Sequence, residues 1–407
     1  MSLKKLEPLL TGKLAELQQQ GICKGNEKVI TGMKAAGGGF GPRYFLEGYG
    51  DRAFLRMNSN AYLGLSVHPQ LIKAEAETAE KFGTGPGAVR FISGTYRPHI
   101  ELEQKLAEFH GRESAMLFSS AYTTMTGVLP QFISADTLVI SDALNHNCII
   151  NAIRLSNPAS KEIYAHADIN ALEKILAAYQ GRVKRVCLVT DGIFSMRGDY
   201  ADLGQINACC RRHEDAYAEG IISIVDDSHG VGAFGRTGRG TEEYSQGRAD
   251  ILIATLGKAF GVNGGYVVSS SAAIAYLRET SPSYIYSNPL TPAEAAAASA
   301  ALDIVTNDEG LRLLDKLRIF SNRLRSGLEQ LGFETLAGEH PIVPILIRDT
   351  EKTTALVTHL LANNILATGL NYPVVPQGEQ EIRLQVSAEH SEKDLDYLLA
   401  KLADFKQ

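Results

Sequence analysis

ILIATLGKAFGVNGGYVVSS, residues 251–270, is the stretch whose reading decides the fold. Ile251 to Ala254 is an apolar run that reads as a buried strand. It ends in Thr255-Leu256-Gly257-Lys258, and a glycine-rich turn leads into a second short strand from Tyr266 to Ser269. The end of a buried strand is a costly place for a plain surface cation. Partial burial disfavours the ammonium, lowers the lysine pKa and leaves the neutral amine that forms a Schiff base. Two other readings compete. A Walker-type phosphate loop needs glycine five residues before Gly257 and a hydroxyl residue after the lysine, but Leu252 and Ala259 stand there. A lysine on an ordinary loop is the third reading, and this stretch alone does not separate it from the first.

Working outward, helix and strand alternate from about 100 to 270. Candidate strands are 114–118, 137–141, 185–190, 221–226, 250–254 and 264–269. Continuous apolar strands alternating with helices predict an α/β fold with a mostly parallel sheet covered on both faces. Ligands of such sheets bind beyond the carboxyl ends of the strands, so the polar residues there carry the functional information. Towards the N-terminus, leucines at 3, 6, 9, 10, 14 and 17 predict an amphipathic helix over 3–20, and Gly48-Tyr49-Gly50-Asp51 marks a hairpin. A helix follows over 69–82. The glycine-rich segment GTGPGAVRFISGTYRPH (83–99), with buried-looking Val89, Phe91 and Ile92, reads as a shaped loop near a ligand or subunit boundary, or as a plain connector. After Pro292 the spacing predicts a long helix to 331, a strand at 342–348, a helix at 351–363, a strand at 381–387 and a helix at 391–405. The expected organisation is an N-terminal helix and arm (1–50), a large domain (51–291) and a small α+β C-terminal domain (292–407).

The bulk numbers fit a soluble globular protein of more than one domain. The chain has 407 residues, 44% hydrophobic and 21% charged, with a net charge of −6 and no long basic block, which argues against nucleic acid or an anionic membrane surface as partner. No segment has the length of a membrane span or of a signal-peptide core. Five scattered cysteines and no zinc-type Cys/His cluster point to a reduced, cytoplasmic protein without a metal site.

At the strand ends the chemistry gathers. The strand IISIVD ends in Asp226-Asp227-Ser228-His229. A buried aspartate there needs a cationic partner, such as a pyridinium nitrogen, and His229 can reach the same ring; the alternative is a solvated loop acid and an ordinary histidine. The strand at 114–118 leads through Ser119 and Ser120 into a helix at Ala121 and Tyr122, where free N–H groups and hydroxyls suit a phosphate, though serine is also an ordinary helix cap. Thr255 adds a hydroxyl. His146, beyond the strand at 137–141, is placed to stack on a flat ring or act as acid/base; Ser195 follows the strand at 185–190. Arg383, on an alternating strand, is a carboxylate receptor if it faces inward and a surface arginine if it does not. A lysine, an aspartate, a ring-stacking histidine, a phosphate cup and a carboxylate clamp at one sheet edge are the inventory of a pyridoxal phosphate enzyme.

These motifs resemble the α-oxoamine synthases, pyridoxal 5'-phosphate enzymes of the aspartate-aminotransferase-like fold (fold type I) that condense an amino acid with an acyl-CoA. The matching phrases run in family order from NSNAYLGL (58–65) through RFISGT, HIELE, DALNH, DGIFSM, VDDSHGVGAFG, TLGKAFG and YSNPLTPA to IRLQVSAEH (382–390). RFISGT, SDALNH, YSNPL and TGLNYPVVPQG look most like the glycine C-acetyltransferase (2-amino-3-ketobutyrate CoA ligase) branch. The resemblance implies that Lys258 carries the cofactor, Asp226 pairs with the ring nitrogen, His146 stacks on the ring, and His229 and Ser195 lie near its 3-hydroxyl. It implies that Ser120, Ala121, Tyr122 and Thr255 hold the phosphate, helped across a homodimer interface by Ser287 and Asn288, and that Asn60 and Arg383 take the substrate carboxylate. The implied reaction joins glycine to acetyl-CoA and releases CoA. A decarboxylating synthase with a longer acyl donor is the alternative within the family, and a non-catalytic α/β binding module the alternative outside it. Met125, Asn147-Cys148, Arg197 and Ala61 depart from the family pattern and put the substrates, rather than the cofactor, in question.

Overall fold

The computed structural model describes residues 3–20, 23, 27–372 and 374–406. Its centre is a seven-stranded sheet in the order β4-β10-β9-β8-β7-β5-β6. The strands are β4 (Ser114–Phe118), β5 (Thr137–Asp142), β6 (Ser160–Tyr164), β7 (Arg185–Asp191), β8 (Ile221–Asp226), β9 (Ile251–Thr255) and β10 (Gly265–Ser269). β6, β5, β7, β8 and β9 run parallel; β10 is antiparallel to both β9 and β4. β4 therefore points the same way as the other five, and the carboxyl ends of β4, β5, β7, β8 and β9 open on one edge. That is the expected mostly parallel sheet, and its strands are apolar on both faces because helices cover both.

A three-stranded antiparallel sheet, β11-β14-β13, forms from β11 (Ile342–Leu346), β13 (Thr368–Leu370) and β14 (Glu381–Gln385). A third sheet joins β1 (Ile30–Lys34), β2 (Arg43–Leu46) and β3 (Ala53–Arg56) to β12 (Ile365–Leu366), so the chain near residue 55 is tied in parallel to the C-terminal part. The principal core is continuous from Leu55 through the large sheet to Leu402.

Three expectations are corrected. The long helix expected over 292–331 is two, Pro292–Val305 and Asp308–Gln330. Asn307 breaks it: its extended backbone leaves the helix, and its side chain accepts from the N–H groups of Glu309 and Gly310 to start the next. The first of the two begins at a capping box, with Thr291 Oγ1 accepting from Glu294 N and Glu294 Oε2 accepting from Thr291 N. Its alanines let it lie close against the helices Pro69–Phe82 and Arg97–Phe109. The edge strand β6 was not anticipated. Finally, Phe91 and Ile92 are not buried: they are 67% and 68% exposed, and Val89 is half-buried. Between Val89 and Ile92 the side chain that turns inward is Arg90. It makes a bidentate pair with buried Glu103, both bonds 3.1 Å, and Glu103 also accepts from Arg278 (3.0 Å) and the Leu117 N–H (3.2 Å). Removing one partner of such a cluster strands a buried charge. Glu103→Ala is expected to cost about 3–5 kcal/mol, read as a lower chemical-denaturation midpoint; an unchanged midpoint would show that the loop is held by other contacts.

The N-terminal helix forms over Leu3–Gln19, and no residue of it is buried in the single chain. Among the described residues no helix is long and apolar enough to cross a membrane.

Candidate active site

At the shared carboxyl edge lies a cavity of about 270 Å3. Its walls come from five strand ends. Ser120, Ala121 and Tyr122 follow β4; His146 and Cys148 follow β5; Asp191 ends β7, with Ser195 beyond it. Asp226 ends β8, with Ser228 and His229 beyond, and Thr255 and Lys258 follow β9. Parallel pairing sets the spacing: Asp191 and Asp226 are register partners on neighbouring strands, so two carboxylates stand side by side.

Lys258 is half-buried, and burial lowers its pKa to about 8, against the raising effect of Asp226 and Asp191; Arg383 adds to the lowering. Asp226 is buried and forms no ion pair among the described residues. Its partners are the Ser228 N–H at 3.1 Å and the Cys148 thiol at 3.5 Å. A buried carboxylate so sparsely satisfied fits a cationic N–H donor in the cavity. Asp191 accepts from the His146 N–H at 2.7 Å, and burial, then the charge of Asp226, raises its pKa well above the carboxylate range. His146 caps the helix Asn147–Arg154, its Nδ1 3.2 Å from the Cys148 N–H, and burial lowers its pKa, leaving a neutral ring. His229 is buried, its pKa pushed well down by burial and then by Lys258 and Arg383; its Nδ1 lies 2.7 Å from the Tyr62 hydroxyl. His340 Nε2 donates to the His229 carbonyl at 2.9 Å, fixing the loop from behind.

The turn that starts the helix Ala121–Val128 is shaped by close backbone approach. Ser120 caps the helix Ala121–Val128, its hydroxyl accepting from the Thr123 N–H, which leaves the Ala121 and Tyr122 N–H groups at the helix start facing the cavity end. Gly265 lies against this turn, where a Cβ would meet Ala121 N at 2.3 Å; only glycine permits the contact. Thr255 lines the cavity, but its hydroxyl already donates to the Gly264 carbonyl and accepts from the Gly257 N–H.

Arg383 is buried on β14 and reaches across from the small sheet. Its Nε donates to the Ser195 carbonyl, and Nη1 and Nη2 each lie 3.2 Å from Asn60 Oδ1. Arg383 and Asn60 thus meet beside the cavity wall without lining it. Ser287 and Asn288 stand outside the cavity in the single chain, with Asn288 exposed. Asp191, Tyr62 and Cys148 were not singled out for the site. Asp191 carried the same signal as Asp226, an acid ending an apolar strand, whereas the contact of Tyr62 with His229 spans 167 residues and has no local signature.

The residues fit pyridoxal phosphate on these observations: a buried carboxylate lacking a cation, a lysine of lowered pKa beside it, a flat neutral imidazole, and a glycine-shaped cradle of free N–H groups. The comparisons agree. The family described as aminotransferase class I and II matches residues 52–402. The 8-amino-7-oxononanoate synthase of Geobacter sulfurreducens is 38% identical over 396 residues, 97% of each chain. The mitochondrial 2-amino-3-ketobutyrate coenzyme A ligase of Bos taurus is 38% identical over 399 residues, 97% of this chain and 91% of the relative. The serine palmitoyltransferase of Sphingomonas wittichii superposes with a TM-score of 0.87 at 26% identity, covering 99% of this chain and 97% of that one. A structure of SPT with its PLP internal aldimine superposes with the same TM-score at 25% identity, covering 99% and 98%. The two curated relatives are equally similar, so identity does not favour the ketobutyrate ligase over the oxononanoate synthase. The chain belongs to the pyridoxal phosphate-dependent α-oxoamine synthase family, with the class I and II aminotransferase fold.

Proposed function

We propose that the chain condenses glycine with acetyl-CoA, releasing CoA and a 2-amino-3-oxo acid. The carrying observation is the convergence of Lys258, Asp226 and His146 in one cavity, with Arg383 and Asn60 beside it. When bound, pyridoxal phosphate supplies a protonated ring that accepts the electron pair left by breaking a bond at the amino acid's α-carbon. In this reading Lys258 holds the cofactor, and its amine takes the α-proton once released. Asp226 faces the ring nitrogen and keeps its proton in place. His146 covers the ring, and His229 and Ser195 flank its 3-hydroxyl. Ser120 and the Ala121 and Tyr122 N–H groups hold the phosphate, and Thr255 joins them by turning its hydroxyl proton from the Gly264 carbonyl to the anion. Arg383, with Asn60, binds the amino acid's carboxylate as a bidentate receptor.

The second reading, a decarboxylating synthase with a longer acyl donor, is favoured by a second cavity adjoining the first and by the equal likeness to the oxononanoate synthase. A panel of acyl-CoAs of increasing length against glycine, alanine and serine, with free thiol and carbon dioxide measured, separates the two. Thiol release best with glycine and the shortest donor, without carbon dioxide, supports the first. Failure to release thiol with any pair refutes both.

The same reading makes the protein a homodimer of large domains (51–291) carrying small ones (292–407), with Ser287 and Asn288 completing the partner's phosphate site. Support comes from the leucines at 3, 6, 9, 10, 14 and 17, and from Phe91, Ile92 and Tyr286, all exposed in the single chain. Light scattering is expected to give twice the chain mass; a monomer that takes up cofactor and turns over would overturn the shared site.

A further inference from the structure

A cavity of about 380 Å3 adjoins the lysine cavity, with Ser195 lining both. It lies between the Phe194–Arg197 turn and the small sheet. Its charged groups are unevenly satisfied. Arg348 holds Glu334 through Nε and Nη2, and Arg197 Nε holds Asp199 at 2.7 Å. Glu381 is different. It is 3% exposed, and its Oε1 is buried with no hydrogen-bond partner among the described residues. It stands two residues before Arg383 on β14, so both side chains leave the strand on the same face, and Arg383 turns to Ser195 and Asn60. A buried acceptor without a partner is costly, and a bound molecule that donates to it relieves the cost.

We propose that this cavity receives the acyl donor, and that Glu381 selects a donor presenting an N–H or O–H group to its carboxylate. The inference rests on the condensation reading above. Arg383 and Asn60 serve the amino acid on one side of Ser195, and the second substrate enters from the other, so the thioester meets the reacting carbon near Ser195. The donated hydrogen bond has two sources: a polar substituent on the acyl group, or the amides of the pantetheine arm. A hydroxyl on the acyl group is distinguished from a plain alkyl chain, and the pantetheine amides from a thioester that lacks them, because a site built around a hydrogen bond penalises a ligand that cannot make it. Burial chiefly pushes the Glu381 pKa up to about 7; Arg383 and Arg197 pull it down, and Glu379 and Asp199 push it further up. Arg348 and Glu334, paired with each other, complete the charged lining. The ionised carboxylate is the stronger acceptor. Donor KM therefore falls as pH rises through about 7.

The test uses the holoenzyme and steady-state thiol release at saturating amino acid. Glu381→Gln is expected to raise the donor KM roughly tenfold, with kcat changed less than about twofold, and to abolish the pH inflection in KM. Alkyl and ω-hydroxyacyl CoA thioesters of equal length, and a simple S-ethyl thioester lacking the amides, identify the source. A penalty on every CoA thioester but absent from the S-ethyl compound assigns the pantetheine arm; a penalty confined to the ω-hydroxyacyl donor assigns the acyl group. If the variant does not fold, the wild type decides: a donor KM that is flat between about pH 6 and 8 overturns the proposal. Unchanged KM for every donor in a folded Glu381→Gln, with thiol still released, overturns it and leaves the condensation standing. A wild type releasing no thiol from any donor removes the condensation reading itself.

Discussion

Lys258→Ala, reconstituted with pyridoxal phosphate, is expected to bind the cofactor without any adduct that borohydride can fix to the chain, and to lose turnover by roughly a thousandfold or more. The size follows from the number of roles that converge on one amine. In the proposed mechanism it anchors the cofactor and then accepts the α-proton, and no other lysine or unprotonated amine lines the cavity. The pH behaviour carries a sign. Folding lowers the Lys258 pKa to about 8, so the neutral, nucleophilic form grows as pH rises through that value. The rate of cofactor uptake by the apoprotein should rise up to about pH 8 and then level off. The variant should show no such rise. Borohydride fixation that survives in Lys258→Ala would place the reactive amine elsewhere, and an uptake rate flat across pH 8 would deny Lys258 its lowered pKa.

The position of Lys258 was legible because parallel sheets leave a strong local signal. β5, β7, β8 and β9 are apolar runs that end in Asp142, Asp191, Asp226 and Thr255, and the polar residue after each run marks the edge where ligands bind. Parallel order then makes those ends neighbours without any knowledge of contacts. Where the signal is not local, the reading fails. β6, Ser160–Tyr164, pairs only with β5 at the sheet edge; its Ser-Lys-Glu start is half-exposed and Ile163 faces solvent, so no apolar run announces it. β12 and β13 have two and three residues, too few for periodicity to show. Phe91 and Ile92 look buried in sequence because they are apolar residues between glycines in a shaped loop, yet the Arg90–Glu103 pair decides which way that loop turns and leaves both exposed in the single chain. Arg383 was legible as a residue type on an alternating strand. Its meeting with Asn60, 323 positions away, was legible only through the family resemblance. Glu381 offered no signal at all: an acid at a strand start is ordinary in sequence, and only the fold shows it buried with an oxygen unpartnered.

Asp226→Ala is expected to separate cofactor binding from catalysis. Lys258 and the N–H cradle at Ala121 and Tyr122 are untouched, so the variant should still take up pyridoxal phosphate, with weaker affinity. Turnover should fall by about 10^2 to 10^4, because the group that holds the ring proton is gone and charge developing during α-proton removal loses its stabilisation. The neighbours supply a second, independent readout. Asp226 raises the Lys258 pKa, so removing it should move the onset of cofactor uptake to lower pH. It also raises the Asp191 pKa, since the two carboxylates end adjacent strands, so Asp191 should ionise more readily in the variant. That ionisation strengthens the hydrogen bond Asp191 accepts from the His146 backbone, and the His146 loop should hold its place. The expected variant is thus folded, coloured and nearly inert, with an uptake profile displaced towards acid. Asp226→Glu would keep the charge but push the carboxylate about 1 Å or more into the cavity, restoring part of the pH profile before it restores rate. Wild-type turnover in Asp226→Ala would refute the role assigned to this carboxylate, and an undisplaced uptake profile would show that Asp226 and Lys258 do not share the field their positions imply.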